Sequence, residues 1–571
     1  MKIKIIGIAI LLMSVITACD SYLDETAYNK ITPGNYYSTP DGILAGVNGI
    51  YSELRSLYIT EPFMALAEGG TSDIYYSSRT ASRWYNWNIT SDLGDVNGVW
   101  ESCYRSINQS NEVITQLEEG VTGLDDDLKN RYLAETRFLR AFFYYHLVMQ
   151  WGDVYFTTDP TKTIETEASK TPSEEIWDFI LTELDFCISN LPEQYSSEYG
   201  RITTYAARQF KALALLTAKR DDQASVREAL ELAEDIINSE KYELVSSHAE
   251  LFDMGNQRNK EIILPVLYTT NSEYNGDGNT AHLFFTCAYS EEHPGVTRVI
   301  QYGRPWSRLR PTDFLFNLFD ENVDQRFDDD FRDEWHVTEE EISFSMFNPN
   351  SKNTEPITMH QGDLAMKIFK EMPTPEDVKA IYPVWGYLPD KYYGQLDIQS
   401  EENPDGEWPS NTKFQSYKFY IHTIKHSDPE RPTINESRGT RDVFVFRLAE
   451  TYLIAAEAAD LLEDDDLAAS YINEVRKRAA KPGRESDMEI SASDVTMDFI
   501  LDERARELQG EMQRWYDLKR TGMFLERTRD AHVGDATYLS YIKDYHVLRP
   551  IPENQLNRMS NPADFPQNPG Y

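Results

Sequence analysis

Two long stretches of this chain, 41–239 and 443–525, repeat apolar residues at spacings of three and four, and the region between them, 240–440, does not. That periodicity turns one face of each helix toward a shared core and leaves few other architectures open. In the first block helices are expected over Trp100–Leu117, Leu128–Trp151, Ser173–Ser189, Thr203–Lys219 and Ser225–Ile237. Phe138, Phe142, Tyr145 and Met149 form one apolar stripe, and Gly152 supplies a C-cap. Thr171-Pro172-Ser173-Glu174-Glu175 reads as a helix start, with Thr171 as N-cap and Pro172 in the first helical position. In the second block Leu448, Tyr452, Ala455 and Ala459 line one helix, the acidic turn Glu463–Asp466 follows, and Ala468, Tyr471, Ile472 and Val475 line the next. Paired helices of this length have the size of a tetratricopeptide unit, and alanines at 455, 456, 458 and 459 permit close approach. The expected fold is mainly α: a tetratricopeptide-like helical-pair scaffold carrying a loop-rich, short-strand half. Helical arrays grow by stacking, so one domain over 19–571 is consistent with the length.

The N-terminus carries a different instruction. Lys2 and Lys4 precede an apolar run from Ile5 to Ile16, then Thr17, Ala18 and Cys19. The run is far shorter than the roughly twenty residues of a membrane-spanning helix, so residues 1–18 read as a cleavable signal peptide. Ile16-Thr17-Ala18-Cys19 is a loose lipobox, and Cys19 is the expected lipidation site, its acyl chains forming the anchor to a membrane.

Lys+Arg 55 against Asp+Glu 95 give a formal charge of −40, which disfavours nucleic acid, whose phosphates require a basic face. With Cys19 set aside, Cys103, Cys187 and Cys287 are too few and too dispersed for a disulfide scaffold or a zinc site. No phosphate-binding loop, nucleophile elbow, H-E-x-x-H pair or dinucleotide turn appears, so neither a cofactor nor catalysis is expected. Acidic runs such as Asp125–Asp127 and Asp328–Asp330 read as solvated surface. Asn275-Gly276-Asp277-Gly278-Asn279 lacks the remaining ligands of a calcium loop and reads as a turn. His146 is expected to be a packed or surface side chain.

Aromatic residues carry more information. An exposed indole or phenol ring covers the C–H face of a sugar, while neighbouring amides and guanidinium groups bond its hydroxyls. Two clusters fit that recipe: Tyr75, Tyr76, Arg83, Trp84, Tyr85, Asn86 and Trp87, and then Tyr302, Arg304, Trp306, Arg308 and Arg310. The competing reading for any tryptophan is burial in the core. The net charge of −40 argues mildly against polyanions by repulsion, whereas Arg298, Arg304, Arg308 and Arg310 near Trp306 locally favour a uronate, which leaves a neutral and a uronate-containing ligand both open.

Several motifs in order resemble the SusD/RagB family of outer-membrane glycan-binding lipoproteins. They are Cys19-Asp20-Ser21-Tyr22-Leu23-Asp24; Trp100-Glu101-Ser102-Cys103-Tyr104; and Glu135-Thr136-Arg137-Phe138-Leu139-Arg140-Ala141-Phe142-Phe143-Tyr144 leading to Trp151-Gly152-Asp153-Val154, where Tyr155 replaces a family proline. Further on come Arg447 to Ala458, Glu503-Arg504 with Glu507-Leu508, Asp517-Leu518-Lys519-Arg520, and the ending from Pro550-Ile551-Pro552 to Gln567-Asn568-Pro569-Gly570-Tyr571. The resemblance implies a surface-exposed outer-membrane lipoprotein that captures a glycan and delivers it to a partner TonB-dependent, SusC-like transporter, without enzymatic activity. A peptide-binding lipoprotein of the same fold, or a surface glycoside hydrolase, are the alternatives. Tyr75, Tyr76, Arg83, Trp84, Tyr85, Asn86, Trp87, Tyr302, Trp306 and Arg308 are the expected ligand contacts.

Overall fold

The computed structural model describes residues 36–58, 60–69, 71–78, 81–348, 350–370, 374–387 and 419–571. The leader and Cys19 lie outside the described residues. Helix α1, Pro40–Leu57, begins where Thr39 Oγ1 accepts from Gly42 N at 3.1 Å and Pro40 fills a position whose amide needs no partner. Helices α2, Gly94–Glu119, and α3, Asp126–Trp151, follow. Asp125 caps α3 through Leu128 N at 2.9 Å, and Gly152 ends it at φ 73°, a conformation that favours glycine. The first block continues with α4, Ser173–Asn190, α5, Thr204–Ala218, and α6, Gln223–Ile237. The second block supplies α7, Leu448–Leu461, α8, Asp465–Ala479, α9, Met497–Leu508, and α10, Arg514–Arg520.

Each of these helices from α1 to α8 packs on the next, and α6 packs directly on α7. Two blocks that are far apart in sequence therefore form one uninterrupted stack, and the fold is a helical, tetratricopeptide-like one. Ala455, Ala456, Ala458 and Ala459 are fully buried in it.

Two local expectations need correction. The α4 N-cap is Pro172, one residue later than expected: Thr171 N instead donates to Val154 O at 2.8 Å, and Asp153 Oδ1 accepts from Ser173 N at 2.8 Å. A tertiary contact displaces the local cap. The stripe on α3 is also not a single buried face, because from Tyr132 to Trp151 only Arg137 escapes burial. The helix lies between α2 and α4, and Trp151 Nε1 donates to Pro550 O at 2.8 Å near the C-terminus. His146 is packed, T-shaped against Phe63 and Phe142, with Nδ1 at 2.9 Å from Tyr516 Oη.

The loop-rich region leaves and re-enters the stack at one place. Strand Ile262–Val266 pairs antiparallel with Val443–Arg447, both fully buried, so 267–442 is an excursion whose two ends touch. A hairpin, Glu341–Asn348 with Asn353–His360, is its most regular element. The Asn275–Asn279 segment is a turn: Asn275 and Asn279 side chains donate to Gly439 O and Arg441 O at 2.9 and 2.7 Å.

The junction is held by buried charge. Arg447 Nη1 bonds Glu261 at 2.8 Å and Glu507 at 2.6 Å, while its Nε bonds Glu511 at 2.8 Å. Arg326 reaches Asp324, Glu503 and Glu507 from the loop-rich side at 2.8 to 3.0 Å. Burial by itself raises the Glu507 carboxyl, and Arg478, His248 and Arg447 more than reverse this, holding it well below the usual carboxylate range. Arg504 joins Asp517 at 2.7 Å and Glu450 at 3.3 Å, and Arg520 joins Glu457 and Asp517 at 2.5 and 2.9 Å. Among the described residues no helix is long and apolar enough to cross a membrane, and no group of three His, Cys, Asp or Glu side chains is arranged to hold a metal ion.

Candidate functional site

The two aromatic clusters, more than two hundred positions apart in the chain, meet through a short ladder. Tyr75–Ser77 pairs antiparallel with Leu309–Pro311, with Tyr76 opposite Arg310 and Ser77 opposite Leu309. The ladder extends by one bond, Ser78 N to Arg308 O at 2.9 Å, and Ser78 Oγ donates to Ser307 O. On the other side Trp306 N and Arg308 N donate to Leu283 O and Phe284 O at 3.0 and 2.8 Å. Segment 306–308 is thus fixed between a strand and the short helix Ala281–Phe285.

A cleft of about 410 Å³ opens beside this ladder, lined by Met64, Trp84, Leu93, Phe284 and Leu309 with Glu61, Arg83, Asp95 and Arg308 at polar positions. Its composition, apolar and aromatic with a few convergent polar groups, is that of a ligand site. Trp84 is 7% exposed; its Nε1 donates to Asp95 Oδ2 at 2.7 Å, and the Arg549 guanidinium lies 5.6 Å from its ring centroid. Arg83 shapes the loop behind it, donating to Asn88 O at 2.9 Å and to both oxygens of Asp92 at 3.0 Å. Those bonds from Arg83, with one from Thr90, hold the Asp92 carboxyl well below its usual range. Trp306 is not in the lining itself but packs on two lining residues, T-shaped against Phe284 at 5.7 Å and 5.5 Å from the Arg308 guanidinium, whose Nε pairs with Glu61 at 2.5 Å.

The remaining expected contacts distribute unevenly. Tyr76 and Tyr85 form an adjoining patch with Tyr538 and His532: Tyr85 lies 5.4 Å from Tyr538, and Tyr76 lies 5.5 Å from His532 and 5.0 Å from the Arg310 guanidinium. Burial pushes His532 down to about 4, so this patch is uncharged on its imidazole at neutral pH. Asn86 accepts from Asn88 N at 3.2 Å and shapes the turn. Tyr302 stands apart from the cleft lining, accepting from His336 N at 2.9 Å and packing on Tyr289.

Tyr75 and Trp87 are corrected from surface contacts to core. Tyr75 is fully buried and its hydroxyl donates to Gln509 Oε1 at 2.5 Å. Trp87, 3% exposed, is enclosed by Phe524, Tyr538 and His546 at ring distances of 6.1, 6.1 and 5.0 Å. A ring closed in this way has no face left for a sugar. Glu61, Asp95, Phe284 and Tyr538 escaped sequence reasoning because nothing in their local surroundings distinguishes them; only the ladder and the C-terminal helices bring them to the site.

Residues 260–571 match the SusD family, and residues 21–215 match a family described as "Starch-binding associating with outer membrane". SusD-like protein P25 of Formosa agariphila is 26% identical over 590 residues, covering 100% of both chains. Starch-binding protein SusD of Bacteroides thetaiotaomicron is 26% identical over 479 residues, covering 81% of this chain and 76% of its own. Among solved structures, a SusD homolog from Bacteroides thetaiotaomicron superposes with TM-score 0.69 at 18% identity over 94% of this chain and 98% of its own. A laminarin binding SusD-like protein gives 0.64 at 20% identity over 93% and 100%. The SusD family match spans more than half of the chain, and the helical fold superposes on these structures along nearly its whole length: the chain belongs to the SusD family.

Proposed function

We propose that this protein binds a glycan in the cleft between Trp84 and Trp306, as a surface lipoprotein held at the outer membrane through Cys19, and passes it to a TonB-dependent, SusC-like transporter. The observation that carries the reading is the Tyr75–Ser77/Leu309–Pro311 ladder, which joins two separate aromatic and arginine clusters into one cleft. Relatives named for binding starch and laminarin support a carbohydrate ligand. Binding without turnover is the preferred reading, because both cleft carboxylates are engaged, Glu61 by Arg308 and Asp95 by the Trp84 indole. A free acid and base on opposite sides of a glycosidic bond is what hydrolysis needs.

The test is calorimetric titration of the chain lacking residues 1–19 against a panel of soluble polysaccharides and a peptide pool, with reducing ends assayed after long incubation. Binding to a glycan with no new reducing ends supports the reading. Affinity for peptides alone, or turnover abolished by Glu61→Gln or Asp95→Asn, overturns it. Anchoring is tested separately: Cys19→Ala should release the protein from the outer-membrane fraction, and persistence there after a high-salt wash contradicts the lipid anchor.

A further inference from the structure

Two guanidinium groups sit against the Trp306 ring, Arg308 at 5.5 Å and Arg304 at 5.9 Å from its centroid, and they differ in what neutralises them. Arg308 is paired with Glu61. Among the described residues Arg304 bonds the main-chain oxygen of Asn435, Nη1 donating at 2.6 Å, and that acceptor is neutral. Arg298 reaches the side-chain oxygen of the same Asn435 at a long 3.4 Å, and its Nε is buried without a partner. Arg431, on the segment that carries Asn435, is likewise bonded to carbonyl oxygens, those of Asp428, Glu436 and Ile300. Asp428 is shared between Arg431 and Arg441, and Glu436 between Arg431 and Arg438, which it meets at 3.2 Å, whereas the Asn435 oxygens that Arg304 and Arg298 bond carry no charge. Positive charge therefore accumulates beside Trp306 in a protein of net charge −40.

We infer that the glycan taken by this cleft is anionic, bearing a uronate or sulfate ester that Arg304 and Arg298 hold at the Trp306 end. The inference rests on the glycan reading above and names the ligand's chemical class. A guanidinium fork matches either oxyanion in bidentate fashion. Asp95 in the cleft, bonded to the neutral Trp84 indole, repels an acid, which directs the charged group outward to the arginine rim. The distant acidic surface opposes this weakly, because at physiological salt charges more than about 8 Å away are largely screened.

The experiment titrates the protein with two matched pairs: an oligogalacturonide with its carboxyl-reduced form, and a sulfated galactan oligosaccharide with its desulfated form. The acidic member of at least one pair should bind about tenfold more tightly than its neutral partner in dilute salt, with the advantage falling as salt rises. Which pair responds separates uronate from sulfate. Arg304→Gln, and Arg298→Gln with Arg304→Gln, should abolish the preference, the acidic member then binding no more tightly than its neutral partner; Arg304→Lys should retain part of it. Melting curves on the same samples confirm that each variant is folded. Equal or tighter binding of the neutral members by the wild-type protein overturns the inference and leaves the glycan reading standing. If the protein binds no carbohydrate of either charge, here or in the wider panel, both are overturned.

Discussion

The arginines of the scaffold and the arginines of the cleft rim are the same side chain in opposite circumstances. Arg447, Arg326, Arg504 and Arg520 are fully buried, and each is surrounded by carboxylates at hydrogen-bond distance. Arg304 and Arg298 are half-buried and bonded to oxygens of Asn435. A buried guanidinium survives only when its charge is met by carboxylates, so the scaffold arginines are locked into one geometry. At the rim, partial hydration lowers that cost and leaves the charge available to a ligand. The motifs that make the chain recognisable, Arg447 to Ala458, Glu503-Arg504, Glu507 and Asp517 to Arg520, supply most of the locked set. They mark how the stack is held together, whereas the cleft proposed as the ligand site draws on other residues.

The contrast can be broken most forcefully at the junction. Arg447→Ala strands Glu261, Glu507 and Glu511 without their shared cation and should cost on the order of 3–5 kcal/mol of stability, read by denaturant unfolding. Glycan affinity of the remaining folded protein should be unchanged; a variant that melts normally would show that the network is not structural.

Trp87→Ala should behave as a core truncation, losing roughly 3–5 kcal/mol through the cavity left among Phe524, Tyr538 and His546. If it instead weakens glycan binding with an unshifted melt, its assignment to the core is wrong. Trp306→Ala sharpens the comparison from the other side. Affinity should fall by about 1–3 kcal/mol, the scale of a lost aromatic anchor, with little change in melting temperature.

A smaller effect is expected at Glu68, whose carboxylate accepts from Gly510 N at 2.7 Å and Gln513 N at 3.1 Å. Burial raises this carboxyl from 4.5 to about 7 despite those bonds. Between those values the folded protein holds a proton that the unfolded chain releases, so Glu68 makes stability fall as pH rises through that window. Glu68→Gln removes the titration; its stability relative to wild type should improve on the order of 1–3 kcal/mol from about pH 5 to about pH 8. A constant difference across that range would show that Glu68 keeps an ordinary affinity for protons.

How legible the protein was from sequence divides along the same line. Helix periodicity identified the scaffold because each helix buries residues at regular local spacing, and Phe138, Leu448 and Ile472 all lie in the core as that spacing requires. The Thr171 cap failed because a carboxylate from another segment, Asp153, meets the first helical amide, Ser173 N, in its place. At the candidate site, burial was not legible: Trp84 and Trp87 are three residues apart in similar surroundings, yet one lines the cleft and the other is sealed behind it.

What this chain determined alone was its set of helices, its net charge and the residue types able to hold a sugar, all properties of composition and short-range spacing. Only the tertiary structure decided that α6 packs on α7 across the excursion, that two clusters become one cleft, and which arginines keep an unneutralised charge. Each of these depends on partners hundreds of residues away, brought together by strand pairing and buried ion pairs whose energies no local window contains.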